Sequence, residues 1–198
     1  MNVFLSWSGK RSHLVAEALK RGLQFIFQNR LEIYLSTDMG KGILWGKALD
    51  EHLERAEFGI LCVTKENFSA PWLMYEAGIL YKTAGEGFVT PFLLDISPSE
   101  LHGNPLERLQ LTVFEKTDLR SLIRRVNQRL PQETRITDEE TFQGLFEMVY
   151  VNYFEKLLTD ALNAQDDAKS VTQKLWELCK GNQALLRDVL FELQTRCP

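Results

Sequence analysis

Histidine and cysteine are both scarce in this chain, three of each in 198 residues, and their spacing excludes several kinds of site. Cys62, Cys179 and Cys197 form no C-x-x-C pair and no cysteine–histidine spacing, so neither a disulfide framework nor a zinc centre is expected. Cys62 falls inside an apolar run, where a thiol behaves as a small hydrophobe. His13, His52 and His102 are scattered and support no Ser-His-Asp order or Cys-His pair. No metal site is expected. There is no G-x-G-x-x-G loop, and Gly40-Lys41-Gly42 lacks the spacing of a phosphate-binding G-x-x-x-x-G-K-[ST] loop. No apolar run approaches the roughly 18 residues of a membrane span. The first residues run straight into a strand pattern without a basic segment and apolar core, so no signal peptide is expected. A net charge of −4 leaves no broad basic field for nucleic acid. The local basic run Arg120–Arg129 reads as one face of a helix. A soluble, cytoplasmic protein is expected, with neither membrane nor nucleic acid as a partner.

What is present alternates. Asn2–Ser8 reads as a strand ending in small polar residues, and Lys10–Phe27 repeats apolar residues at a helical period. Leu31–Ser36 alternates as a second strand. Thr37–Gly42 is a turn-rich loop, and Trp45–Ala56 is a helix with Trp45, Leu49 and Leu53 on one side. A third strand at Gly59–Thr64 precedes a helix at Trp72–Lys82. Phe88–Asp95 is a fourth strand whose Pro91 suggests a bulge or a place near an edge. Residues 98–109 show little pattern, Leu109–Phe114 is a short fifth strand, and Asp118 is expected to cap a helix to about Leu130. Strands alternating with helices over short connections predict a flavodoxin-like five-stranded parallel sheet with helices on both faces.

After Pro131 the pattern becomes wholly helical. Phe142, Leu145, Phe146, Val149, Tyr153, Leu157 and Ala161 make a stripe that predicts one amphipathic helix over Glu139–Asn163, followed by helices at Val171–Cys179 and Gln183–Gln194. The chain therefore reads as a domain at 1–131 and a C-terminal helical extension at 132–198. The extension either packs on the sheet domain or forms a small module of its own, and its apolar faces could also join two copies.

The most informative stretch is Ser69-Ala-Pro-Trp72-Leu-Met-Tyr75-Glu76-Ala-Gly78, directly after the run Gly59–Thr64. That run is short and rich in β-branched residues, as a buried parallel strand requires. Pro71 suits the first turn of the following helix. Trp72 and Glu76 lie four apart and share a helical face. They sit beside the carboxyl end of a strand, where open α/β sheets bind ligands. An acid held there beside an aromatic ring can stabilise a developing positive charge. The plainer reading is a half-buried tryptophan with a solvated glutamate.

These residues resemble a family. Val3-Phe-Leu-Ser-Trp-Ser8 is similar to the opening strand of Toll/interleukin-1 receptor (TIR) domains, Asp38, Gly40, Gly42 and Trp45 resemble the loop and helix after their second strand, and Ser69-x-x-Trp72-x-x-x-Glu76 resembles the signature of the prokaryotic branch. Phe92-Leu-Leu-Asp95 fits the fourth strand. The resemblance covers about residues 1–130. It implies cleavage of NAD between nicotinamide and ribose, with Glu76 catalytic and NAD as substrate instead of cofactor. It also implies self-association through this domain and service in antiphage or immune signalling. Most glycosidases need two carboxylates because their leaving group is an alkoxide. A pyridinium departs neutral, so one carboxylate suffices, acting on an oxocarbenium-like transition state. Trp72 either stacks near the nicotinamide or supports the Glu76 rotamer. Ser6, Trp7, Ser8 and Gly9 after the first strand, with Asp38, Trp45 and Trp72, are the expected substrate-binding residues. Where some relatives carry arginine, Ser8 and Gly9 stand here, followed by Lys10 and Arg11, so the resemblance does not say which cation, if any, meets the pyrophosphate.

Two other functions are compatible with the same residues. One is a TIR module that signals by self-association without turnover, although an intact Glu76 favours an enzyme. The other is a nucleoside deoxyribosyltransferase-like enzyme, which also uses a glutamate at a sugar carbon but wants further acidic groups for the base. A response-regulator receiver is excluded, because the first strand ends in serines instead of an acidic pair.

Overall fold

The computed structural model describes residues 1–36, 45–85, 87–156 and 160, with the backbone alone at 45–48. Five parallel strands form one sheet in the order β2-β1-β3-β4-β5: β1 (Asn2–Ser6), β2 (Glu32–Leu35), β3 (Phe58–Val63), β4 (Val89–Leu93) and β5 (Thr112–Val113). That order is the flavodoxin-like winding, so the expected fold class is the one observed. The linking helices are α1 (Lys10–Phe27), α2 (Trp45–Arg55), α3 (Pro71–Ala84) and α4 (Lys116–Arg129). Among the described residues no helix is long and apolar enough to cross a membrane.

Side-chain alternation along β1 divides the core into two layers. Val3 and Leu5 join Val15, Leu19, Leu23 and Phe27 of α1 and Leu119, Leu122, Ile123 and Val126 of α4. Phe4 faces the other way, with Leu49 and Leu53 of α2 and Leu73, Ala77 and Leu80 of α3. Burial on both faces is why β3 reads as the unbroken run Phe58-Gly-Ile-Leu-Cys-Val63.

Several local expectations are corrected. Pro91 sits without a bulge in β4, between β3 and β5, in register with Leu61. Leu93 accepts from the Phe114 N–H on the β5 side, so Pro91, two residues earlier, also faces that side. Pairing with β5 begins only at Phe92, and the missing proline N–H leaves no rung unmade. Asp118 does not cap α4, which starts earlier, at Lys116 after Glu115. Its carboxylate instead accepts from the Val113 N–H at 3.0 Å and ties α4 to β5. The weakly patterned stretch before β5 contains two 3-10 turns, Pro98–Leu101 and Pro105–Arg108, each with proline in its first turn.

The boundary expected after residue 131 falls inside a single compact unit, Met1–Ala164. Helix α5 (Glu139–Val149) buries Phe142, Phe146 and Val149 in the same layer as α1. It does not continue regularly as expected. The backbone widens into a π-helical turn at Tyr150–Glu155, and this shift drives the Phe154 ring inward. Gly22 of α1 makes room for it: a Cβ there would lie 2.8 Å from both the Phe154 ring and Val149. The helices expected at Val171–Cys179 and Gln183–Gln194 lie outside the described residues.

Phe154 is fully buried against a residue with no side chain, so truncating it leaves a hole that nothing nearby fills. Phe154→Ala is expected to cost about 3–5 kcal/mol, read by urea unfolding of the full chain. A loss under about 1 kcal/mol would show that the π-helical turn is not seated on α1.

Candidate active site

The carboxyl ends of β1, β3 and β4 meet the first turns of α1 and α3, and among the described residues most of the buried polar side chains gather there. Pro71 opens α3 at its first position, as expected, and the helix then carries Trp72, Tyr75 and Glu76 past the end of β1. Glu76 is 0 % exposed, as is Ser6, the last residue of β1. The Ser6 hydroxyl donates to Glu76 Oε2. Oε1 accepts no well-formed hydrogen bond. The Trp72 indole lies near enough to favour the charged carboxylate without reaching that geometry. Burial dominates and pushes the Glu76 carboxyl up from 4.5 to about 7, while Ser6 and then Trp72 pull it down. The plainer reading of a solvated glutamate is therefore wrong. A buried carboxyl at the ligand-binding edge of an open α/β sheet is a functional candidate on physical grounds.

Around it the loops are stitched by side chains that the sequence reading passed over. Asn67, in the turn after β3, is 3 % exposed. Its Oδ1 accepts from the Thr64 N–H at 2.7 Å, and its Nδ2 donates to the carbonyls of Cys62 and Ser8, both at 3.0 Å. One amide thus joins the ends of β1 and β3. Ser12 closes the next gap: its hydroxyl donates to the Ser8 carbonyl at 2.6 Å and accepts from the Ser8 N–H at 2.9 Å. Asp95, just past β4, accepts from the Lys65 N–H and from Arg11, each at 2.8 Å. An Asn four residues past the end of β3 is a turn signal present in the sequence. The Asp95–Arg11 pairing spans 84 residues and left no local trace.

The structure brings together some of the expected substrate-binding residues and separates others. Ser6 and Trp72 meet Glu76. Ser8 and Gly9 lie at the same edge, where Gly9 precedes α1 with φ +95°, a backbone region open mainly to glycine. Trp7 is turned away. It follows Ser6 by one residue, so its ring enters the α1 layer and packs at a tilt against His13, 4.2 Å between centroids. Arg11 donates to Asp95 and lies 4.0 Å from Glu66, so its guanidinium is part of the bonding that holds this edge. Asp38 lies outside the described residues, and Trp45 opens α2 with its side chain undescribed. Trp72 is 37 % exposed and packs against Tyr75 at 5.2 Å, so an aromatic pair faces solvent directly beside the covered carboxyl. Tyr75 in turn donates to Asp50 of α2 at 2.8 Å. Among the described residues no cluster of three histidine, cysteine or carboxylate side chains is placed to hold a metal ion.

No protein-family model and no curated protein matches the chain. Among solved structures it is similar to FerB, a flavoenzyme NAD(P)H:(acceptor) oxidoreductase from Paracoccus denitrificans. The identity is 17 %, the TM-score is 0.32, and the match covers 78 % of this chain and 96 % of that one. The flavin chemistry in that name belongs to that protein.

The raised pKa of Glu76 couples its ionisation to the stability of the fold. A carboxyl that holds its proton more tightly folded than unfolded stabilises the fold fully below pH 4.5 and loses that contribution as pH rises to about 7. The difference amounts to roughly 3 kcal/mol of stability missing above neutrality. Glu76→Gln, which cannot ionise, is expected to unfold at higher temperature than the wild type at pH 8 and to differ little from it at pH 4. Equal unfolding temperatures at both pH values would mean that Glu76 ionises at its ordinary value.

Proposed function

We propose that this chain is an NAD glycohydrolase of the TIR type, cleaving NAD between nicotinamide and ribose to give nicotinamide and ADP-ribose or a cyclic variant of it. The observation that carries this reading is the buried Glu76 carboxyl, tied by one oxygen to Ser6 and lying beside the half-exposed Trp72. The order of motifs from Ser6 through Trp72 to Glu76, resembling the prokaryotic TIR pattern, supplies the substrate. An antiphage or immune-signalling role follows from that resemblance.

The chemistry asks for little else. The bond from ribose C1′ to the pyridinium nitrogen breaks and its electron pair stays on nitrogen, so nicotinamide leaves neutral without an acid. Positive charge collects on C1′ and the ring oxygen, and ionised Glu76 stabilises it at short range in a site stripped of water. Water, or the adenine of the same molecule, then bonds to C1′ and loses a proton to solvent. The second carboxylate of ordinary glycosidases has no task. Trp72 and Tyr75 offer a flat apolar surface at the mouth for a planar base. Glu76 itself is covered, so substrate reaches it only when its cover shifts. Self-association is the trigger that fits this family of proteins.

The test is nicotinamide release from NAD, followed by chromatography on the full chain. Turnover is expected to rise with pH through about 7 as Glu76 ionises, and to grow per molecule as protein concentration increases. Glu76→Gln should remain folded and lose turnover by roughly a thousandfold. Wild-type rates in a folded Glu76→Gln protein, or NAD left intact by concentrated wild type, would overturn the reading.

A further inference from the structure

We infer that Ser6 is a positioning residue for Glu76, holding one carboxylate oxygen at the end of β1 so that the other, Oε1, is presented to the substrate sugar. The inference rests on the reading of Glu76 as the group that acts on ribose, and it replaces the expectation that Ser6 binds substrate directly.

Three observations carry it. First, Ser6 is wholly covered, and its single hydroxyl proton is committed to Glu76 Oε2. A hydroxyl placed so has no donor left for a ligand. Second, Ser6 is the last residue of β1, a strand held between β2 and β3. It pairs with Leu61 of β3, and Leu5 before it pairs with Leu35 of β2 and Ile60 of β3. Glu76 sits on a separate helix and reaches the site through a side chain with several rotamers. A donor fixed to the sheet selects one of them, the kind of support a reacting carboxylate needs from its neighbours. Third, Oε1 is buried without a well-formed partner while Oε2 is taken. Leaving a buried carboxylate oxygen unmatched is costly, and the cost is understandable where a ligand completes the set.

The same contact bears on the charge of Glu76. Burial raises its pKa, and the Ser6 hydroxyl is the larger of the two groups acting against that rise, with Trp72 second. Among the described residues, the elements packed around α3 add no other claim on it. Asp50 and Glu54 of α2 act on Tyr75, and Cys62 of β3 faces the opposite layer with its thiol held neutral by burial. Removing the Ser6 hydroxyl therefore moves the Glu76 titration upward as well as loosening its rotamer.

The experiment compares the full-length wild type with Ser6→Ala, which deletes the donor, and Ser6→Cys, which keeps its bulk with a weaker one. Glu76 is titrated without substrate by carbon-13 carboxyl NMR, and NAD turnover is measured across pH. The expected result is a titration midpoint raised in both variants and most in Ser6→Ala. The acid limb of turnover should move the same way, and kcat should fall roughly tenfold or more with KM little changed. A wild-type midpoint and wild-type kcat in both variants would overturn the inference while leaving the NAD reading intact. A raised midpoint in proteins that never touch NAD would keep the Ser6–Glu76 tie and sink the NAD reading. Loss of fold in Ser6→Ala leaves the decision to Ser6→Cys.

Discussion

A carboxyl group removed from water and fastened to the end of a β-strand is the constraint on which the rest of this structure depends. Burial of an ionisable acid disfavours its charged form, and here that effect outweighs the hydroxyl and indole that favour it. A fold selected for stability alone would place an apolar side chain between α3 and the end of β1, where Leu73, Ala77 and Leu80 already form a continuous layer. Glu76 interrupts that layer. The interruption makes sense as a local loss of stability retained for chemistry, which is the usual relation between a reactive site and the scaffold around it.

Holding such a group still requires the surrounding loops to be held as well. Asn67 bridges the ends of β1 and β3, Ser12 closes the backbone before α1, and the Arg11–Asp95 pair ties α1 to the end of β4. Each bond is modest alone, and the partly exposed ion pair is worth little in isolation. Together they convert three separate connections into one rigid edge. Farther from the site, stability comes from packing: α5 and its π-helical turn press Val149 and Phe154 into the notch at Gly22.

Much of this was legible in the sequence because it rests on period. Strands and helices follow from apolar spacing, and the parallel order follows from their alternation. Glu76 stood out because a helix opened by Pro71 after a buried strand leaves its second turn at the ligand-binding edge. Other features were not legible, for identifiable reasons. The Asp95–Arg11 pair joins residues far apart in the chain and has no period. Phe142, Phe146 and Val149 gave the right apolar stripe, but a stripe does not say which surface it meets. Nor did it show the widened turn after Val149, since the requirement lies in Gly22 on another helix. Trp7 is a different case. Its separation from Ser6 follows from strand alternation, which puts the two residues on opposite faces of β1.

The central claim is that Glu76 stabilises positive charge on the ribose carbon as nicotinamide departs. The most direct measurement is the secondary isotope effect on kcat/KM for NAD deuterated at C1′ of the nicotinamide ribose, using the full-length wild type. An oxocarbenium-like transition state flattens that carbon and gives a clear normal effect, with the unlabelled substrate reacting faster. An effect indistinguishable from unity when bond cleavage limits the rate would contradict the account, and so would NAD that is never cleaved.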